Sequence, residues 1–290
     1  MIRPRSAALD AILGVRFPVL SDGWISVIDY MGDDKTPPQA ARTSYRHQDA
    51  EPDDVKDRGL TRYLMRHRHT TPFEMCEIHL ELCAPLDVVG QINRTRTASI
   101  NQASARYVEL PDNYMLPQRI CAPAVSNKQG RGAPLDFDQN SDALDFMREH
   151  AHRSIDAVGD LIHGRAEYAG RPIGKVAPEI ARKLGPVCQM TVLRFKIDLH
   201  NLMHFLTLRM DEHAQLETRA YANAMAEIVR GWLPVTWEAF EDYRLHSYTL
   251  SRMEIEAIRR MMRGQPTTAE DVGMSAREWR DFRAMFGGGQ

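Results

Sequence analysis

The chain has 290 residues, 43% hydrophobic and 26% charged, enough to bury a sizeable core, and one main domain is expected. Its 37 basic and 39 acidic side chains leave a formal net charge of -2, which excludes an overall field that would draw in nucleic acid or an acidic membrane surface. Any anion must therefore be held by a local arrangement of cations.

The four cysteines, Cys76, Cys83, Cys121 and Cys188, show no CxxC spacing and no accompanying histidine pair at metal-ligand distance. Neither a metal site nor a disulfide framework is expected, and a reducing cytoplasm fits. Arg3 and Arg5 precede an apolar stretch that Asp10 interrupts and that is too short for a signal peptide, and no window approaches a membrane span. The expectation is a soluble, unexported protein.

Residues 18 to 31 place Trp24, Ile25, Val27 and Ile28 after a Ser-Asp-Gly turn, which predicts a strand leading into the Met-Gly-Asp-Asp loop. Leu60, Tyr63, Leu64 and His67 fall at helical spacing and predict a helix over 55 to 69, ended by Thr-Thr-Pro-Phe because proline restricts the residue before it. Arg66-His67-Arg68 is read as the basic last turn of that helix, complementing its dipole. From Glu77 to Cys83 the alternation is strict, with Ile78, Leu80 and Leu82 on one face, as in a half-exposed strand. Pro85 suits the first turn of a helix that carries Leu86, Val89 and Ile92 on one stripe and delivers Gln91, Arg94 and Thr95 at its far end.

Residues 111 to 140 hold prolines, glycines and amides, including Asn127-Lys128-Gln129-Gly130-Arg131-Gly132, and read as a long excursion whose length points to function or mobility. Helices are predicted near 141 to 165 and 176 to 184, then a strand from Val192 to Ile197. The longest helix is predicted to begin near Asp198, with Leu199, Leu202, Leu206, Arg209 and His213 on one stripe. Ser251-x-x-Glu254 and Ser275-x-x-Glu278 are capping-box patterns, so 246 to 290 is expected to form a helical extension to a catalytic domain over 1 to 245. Ala269 to Phe286 has the outline of a DNA-binding helix pair but lacks a basic surface, and a subunit contact is the preferred reading.

The densest chemistry lies between Gln91 and Tyr107. Arg94, Arg96 and Arg106 fall within thirteen residues and repel one another unless an anion sits among them. A guanidinium presents a planar fork suited to phosphate or to a reduced ring carrying negative charge. Spacing alone assigns an anion site, with a solvated basic loop as the alternative.

At this point the residues resemble a known family. Arg94-Thr95-Arg96, seven residues and then Ser104 is similar to the Arg-His-Arg-x7-Ser signature of the flavin-dependent thymidylate synthases (ThyX), with Gln91 three places before it and Ser104-Ala105-Arg106-Tyr107 closing it. His69-Thr70-Thr71-Pro72-Phe73-Glu74 is similar to the family's His-x-Thr-Pro-Phe-Glu. Asp198-Leu199-His200-Asn201-Leu202-Met203-His204-Phe205, followed by Leu208-Arg209, is a third match, and Glu179-Ile180-Ala181-Arg182 a fourth. The resemblance spans about residues 10 to 263, leaving the last helix and the glycine tail outside.

The resemblance implies an α/β fold with a mixed sheet flanked by helices, assembled as a homotetramer with sites at subunit interfaces. It implies an enzyme that methylates carbon 5 of dUMP or UMP without an enzyme nucleophile, with FAD as cofactor and NADPH and methylenetetrahydrofolate as co-substrates. By position, Ser44, His69, Thr71, Arg94, Thr95, Arg96, Asn101, Gln102, Asp198, His200 and His204 would contact the flavin. Gln91, Arg94, Gln102, Ser104, Ala105, Arg106 and Arg182 would hold the nucleotide. Arg209 would face the uracil as the catalytic group and stabilise its ionised form.

Thr95 stands where the family has histidine and Gln102 where it has glutamate, and Lys183 to Gln189 also departs from the usual run. The first two changes each remove an ionisable group. The departures resemble those of family members in nucleoside-antibiotic pathways that methylate UMP; Gln102, both donor and acceptor, could partner a 2'-hydroxyl where a carboxylate only accepts. They also leave open a degenerate relative that binds nucleotide or flavin and regulates without catalysis. Cys188 is read as a structural thiol, not a nucleophile. His200 and His204 lack a third ligand for zinc, and His69 either gates cofactor access or ends its helix.

Overall fold

Turn chemistry shapes the entry to the sheet. The computed structural model of the chain describes residues 3–45, 53–125 and 130–286. Ser6 caps helix α1 (Ala7–Asp10), and strands β1 (Arg16–Val19) and β2 (Gly23–Met31) follow as an antiparallel hairpin. The strand expected over 18 to 31 is therefore broken. Leu20 adopts φ 57°, and a Cβ on Gly23 would lie 1.9 Å from the Tyr221 hydroxyl, so the reversal there needs glycine.

Helices α2 (Thr36–Thr43), α3 (Asp54–Arg66) and α4 (Thr71–Glu74) come next. The Asp53 carboxylate caps α3 by accepting from the Val55 and Lys56 amides. That helix stops at Arg66, and Arg68 at φ 60° turns the chain before the Thr-Pro pair. Strand β3 (Glu77–Pro85) buries Ile78, Leu80 and Leu82, as its alternation requires. Helix α5 (Leu86–Ile92) starts directly after Pro85, and β4 (Ser99–Gln102) forms a sheet edge.

The excursion over 111 to 140 contains a small hairpin, β5 (Cys121–Pro123) with β6 (Arg131–Pro134), and the start of α6 (Phe137–His163), capped by Asp136. Asn127, Lys128 and Gln129 lie outside the described residues. At 27 residues α6 is the longest helix among the described residues, which corrects the expectation placed on Asp198. A short pair, β7 (Glu167–Tyr168) and β8 (Arg171–Pro172), leads to α7 (Pro178–Ala181), which tightens into a 3₁₀ turn at Arg182–Leu184.

Strand β9 (Met190–Asp198) feeds α8 (Leu199–Arg209), then α9 (Leu216–Trp232) and α10 (Pro234–Phe240). The main sheet has the order β1-β2-β3-β9-β4 and every strand pair in it is antiparallel, which corrects the mixed sheet that the resemblance implied. Helices α8 and α9 pack on it, and Phe195, Leu202, Leu206, Tyr221 and Met225 between them are fully buried. Each such leucine contributes about 2 kcal/mol relative to exposure. Helix α8 ends at Arg209 because the Asp211 carboxylate accepts from the His213 amide (2.8 Å) in a local turn, so His213 leaves the stripe on which it was expected.

The chain divides into two compact units, Met1–Tyr243 and Arg244–Gln290. The second holds α11 (Arg252–Met262), α12 (Ala269–Val272) and α13 (Ala276–Met285) around Ala257, Met274 and Phe282. All three helices begin with capping boxes: Ser251 with Glu254, Thr268 with Asp271, and Ser275 with Glu278. Among the described residues no helix is long and apolar enough to cross a membrane.

Candidate functional site

Strand β4 sets the first group of site residues. Gln102 lies opposite Leu193 at its end, and the chain leaves the sheet at Ala103, whose amide donates to the Val192 carbonyl (2.9 Å). The Ser104 hydroxyl then accepts from the Arg106 amide (3.3 Å), which shapes the next turn. This turn, α6 and the α7–3₁₀ segment enclose a cavity of about 420 Å³, lined by Gln102, Ser104, Ala105 and Arg182 with Ile155, Val158 and Ile162 of α6. Such a volume suits a small ligand, with an apolar wall for a ring and polar groups for an anion. Among the described residues Arg182 meets no carboxylate. Arg106 pairs with Glu179 (3.1 Å), but both side chains are half exposed and the pair is weak enough to exchange for another anion.

A second group forms at the far end of α5. Arg209 Nη2 donates to the Gln91 carbonyl (3.2 Å), and Gln91 Nε2 donates to Gln215 Oε1. Gln215 Nε2 donates to Asp87 Oδ2 (3.1 Å) and Glu217 Oε2 (3.0 Å). Burial alone would raise the Glu217 carboxyl, but hydrogen bonds from Arg131, its own backbone amide and Gln215 outweigh it and hold the group below the ordinary glutamate value. Beyond Gln91 the chain turns tightly, with the Arg94 amide on Gln91 O and the Thr95 amide on Ile92 O. This leaves Arg94 and Arg96 exposed, with no carboxylate partner among the described residues, and Thr95 half-buried between them.

The third group surrounds a cavity of about 860 Å³ between α2, α3 and α4, lined by Ser44, His69 and Thr71 with Arg42, Tyr63 and Met75. Arg42 and Asp57 form a buried ion pair beside it. The His69 backbone amide bonds to the Leu64 carbonyl (3.0 Å), so the imidazole is left beside the Tyr63 ring, centroids 6.0 Å apart. Among the described residues none lines both cavities.

Helix α8 carries Asp198, His200, His204 and Arg209, but not on one face. Asp198 is its N-cap, accepting from the Asn201 amide (2.9 Å). His200 and Arg209 are nine residues apart, about half a turn out of phase and about 14 Å along the axis. Arg209 shares the buried stripe of Leu199, Leu202 and Leu206, whereas His204 is exposed. Asn101 sits opposite Arg194 on the edge strand. Thus the structure brings together Gln102, Ser104, Ala105 and Arg182, then Gln91 with Arg209, then Ser44, His69 and Thr71, as three groups of one chain.

Sequence reading missed Ile155, Val158 and Ile162, whose i, i+3, i+7 spacing marks a wall but not what it faces. It also missed Asp87, Arg131, Gln215 and Glu217, for which no local pattern signals a partner. Cys188 is half-buried, and burial, with Asp87 adding to it, pushes its thiol up, leaving it protonated and a poor nucleophile near neutrality.

Residues 26–235 match the family described as Thymidylate synthase complementing protein (Thy1). The chain belongs to the Thy1 family. A flavin-dependent thymidylate synthase of Gluconobacter oxydans (strain 621H) is 43% identical over 99% of this chain and 92% of its own. One from Ruegeria pomeroyi is 42% identical over 97% and 91%. Among solved structures, the UMP/dUMP methylase PolB from Streptomyces cacaoi bound with 5-Br dUMP aligns with a TM-score of 0.68 and 28% identity, covering 77% of this chain and 96% of that one. PolB bound with 5-Br UMP gives 0.67 and 27%, covering 79% and 97%. The likeness to the Thy1 relatives runs through the second unit, which corrects the expectation that the last helix and tail lie outside the resemblance.

Proposed function

We propose that the chain is a flavin-dependent enzyme that methylates carbon 5 of a uridine nucleotide, dUMP or UMP. One observation carries this reading: Arg182, Ser104, Ala105 and Gln102 line a single cavity of nucleotide size in a chain 43% identical to a flavin-dependent thymidylate synthase. The Ser104 hydroxyl, the Ala105 amide and the Arg182 guanidinium hold the phosphate, and Arg106 exchanges Glu179 for it. Gln91 and Gln102 orient the sugar and base. Arg209, steadied by the Gln91 carbonyl, directs its remaining donors at negative charge developing on the pyrimidine. No side chain acts as nucleophile, in keeping with the protonated Cys188.

The residues also fit a flavin. Arg94 and Arg96 are exposed cations without carboxylate partners among the described residues, as suits a pyrophosphate, and Ser44, His69 and Thr71 line a roomy cavity. Thr95, Asn101, Gln102, Asp198, His200 and His204 complete the set by position. When bound, FAD supplies reducing equivalents drawn from NADPH, while methylenetetrahydrofolate gives the one-carbon unit. Helix α8 turns His200 and His204, read as flavin contacts, away from Arg209, read as facing the uracil, which supports a flavin and a nucleotide held by different copies. The arrangement we infer is a homotetramer whose sites draw on more than one subunit, with residues 1–245 catalytic and 246–290 a helical extension in subunit contact. Four cysteines held as free thiols fit a cytoplasmic setting.

The names of the relatives support dUMP as acceptor; the likeness to PolB and the amide of Gln102 in the cavity support UMP, the specialised role. The test incubates the protein with FAD, NADPH, methylenetetrahydrofolate and either nucleotide, and reads product mass. A methylated nucleotide is expected. Flavin and nucleotide binding with no methylated product would favour the regulatory relative instead, and methylation of dUMP alone would remove the UMP reading.

A further inference from the structure

The hydrogen-bond chain that ends at Gln91 begins far from it, in the β5–β6 hairpin. Arg131 Nη2 donates to both oxygens of Glu217, at 2.7 and 2.6 Å, and the Glu217 side chain is only 8% exposed. Glu217 and Asp87 offer Gln215 only acceptors, so both must face the Gln215 nitrogen. The Gln215 oxygen is thereby turned to Gln91 and accepts from its Nε2. The Gln91 amide is then oriented in the same way, nitrogen toward Gln215 and Oε1 away, while its backbone carbonyl anchors Arg209. The buried Glu217 carboxylate at the start of α9, with Asp87, thus decides the orientation of an amide more than a hundred residues earlier in the chain.

We propose that Arg131, Glu217 and Gln215 are positioning residues for the nucleotide: they hold the Gln91 amide in one orientation beside Arg209, and they make it depend on the seating of the β5–β6 hairpin. This rests on the reading of Gln91 and Arg209 as nucleotide-facing. With Glu217 replaced by glutamine, which offers Gln215 a donor as well as an acceptor, only Asp87 still selects the Gln215 nitrogen, and the orientation of Gln91 is held less firmly. With Arg131 also replaced by methionine, no unpaired charge is left buried.

The experiment measures dUMP and UMP dissociation constants by calorimetry on the flavin-loaded protein. The set is wild type, Glu217→Gln, Glu217→Gln with Arg131→Met, Gln91→Ala, and each of the first two changes combined with Gln91→Ala. Both relay changes are expected to weaken nucleotide binding about tenfold, and less than about twofold once Gln91 is alanine. Turnover should show a raised nucleotide KM with a smaller change in kcat. A purely structural role would give additive changes in the cycle, and that result overturns the relay. Gln215→Met, which keeps the Arg131–Glu217 pair, carries the same cycle if Glu217→Gln does not fold. Wild-type protein that binds neither nucleotide would overturn the nucleotide reading and the relay with it; binding with additive changes overturns the relay alone.

Discussion

Arg182 and Arg106 illustrate how much of a site residue's behaviour depends on its partner. Both come from recognisable motifs, yet Arg182 has no carboxylate to neutralise it among the described residues, whereas Arg106 already holds Glu179. Losing a hydrogen bond to a charged group costs about 1.5 to 3 kcal/mol. Arg182→Ala is therefore expected to raise the nucleotide KM by about ten- to hundredfold, with flavin absorbance unchanged, in steady-state assays. Cys188→Ser makes the opposite case, because a thiol raised by burial contributes little nucleophile near neutrality. Its kcat should stay within about twofold of wild type; a fall of orders of magnitude would restore a covalent role. The arginines and Ser104 were legible in the chain because their spacing is short, but nothing near Arg106 marks Glu179 as its partner.

Among the elements, α10 depends on a residue two hundred positions away. Its own N-cap, Leu233, offers no side-chain acceptor, and the Asp34 carboxylate accepts instead from the Val235 amide (2.9 Å), the Thr236 amide (2.9 Å) and the Thr236 hydroxyl (2.8 Å). Asp34→Ala is expected to lower unfolding free energy by about 1 to 2 kcal/mol in denaturant titration, the usual loss for a cap. Burial raises the Asp34 carboxyl above its ordinary value despite these hydrogen bonds. The folded state then binds this proton more tightly than the unfolded state, so the group's contribution is greatest at low pH and declines as pH rises through the raised value. Stability of wild type relative to Asp34→Asn should fall over that window, and a flat difference would contradict the assignment. Strand β3 and the caps of α11 and α13 were readable from alternation and capping boxes, which act within a few residues. The end of α8 was not, because the Asp211 turn competes with a periodicity that would otherwise run on to His213.

For the whole molecule, the proposed sharing of sites between copies rests on two cavities that have no lining residue in common among the described residues. Assayed at nucleotide concentrations near the wild-type KM, Arg94→Ala and Arg182→Ala should each show little activity alone. Co-expressed, they should regain about a quarter of wild-type activity if each site takes its flavin arginine and its nucleotide arginine from different subunits. No recovery in mixed oligomers would mean that one subunit supplies both. Local pattern was sufficient for the family, the half-exposed strand and the helix caps, since residues only a few positions apart decide all of these. Which distant groups meet was chosen by packing: Arg182 with Ser104, Gln91 with Arg209 and Gln215, and Asp34 with α10. A side chain selects such a partner only after the sheet and helices have brought it within reach, and no spacing along the chain records that choice.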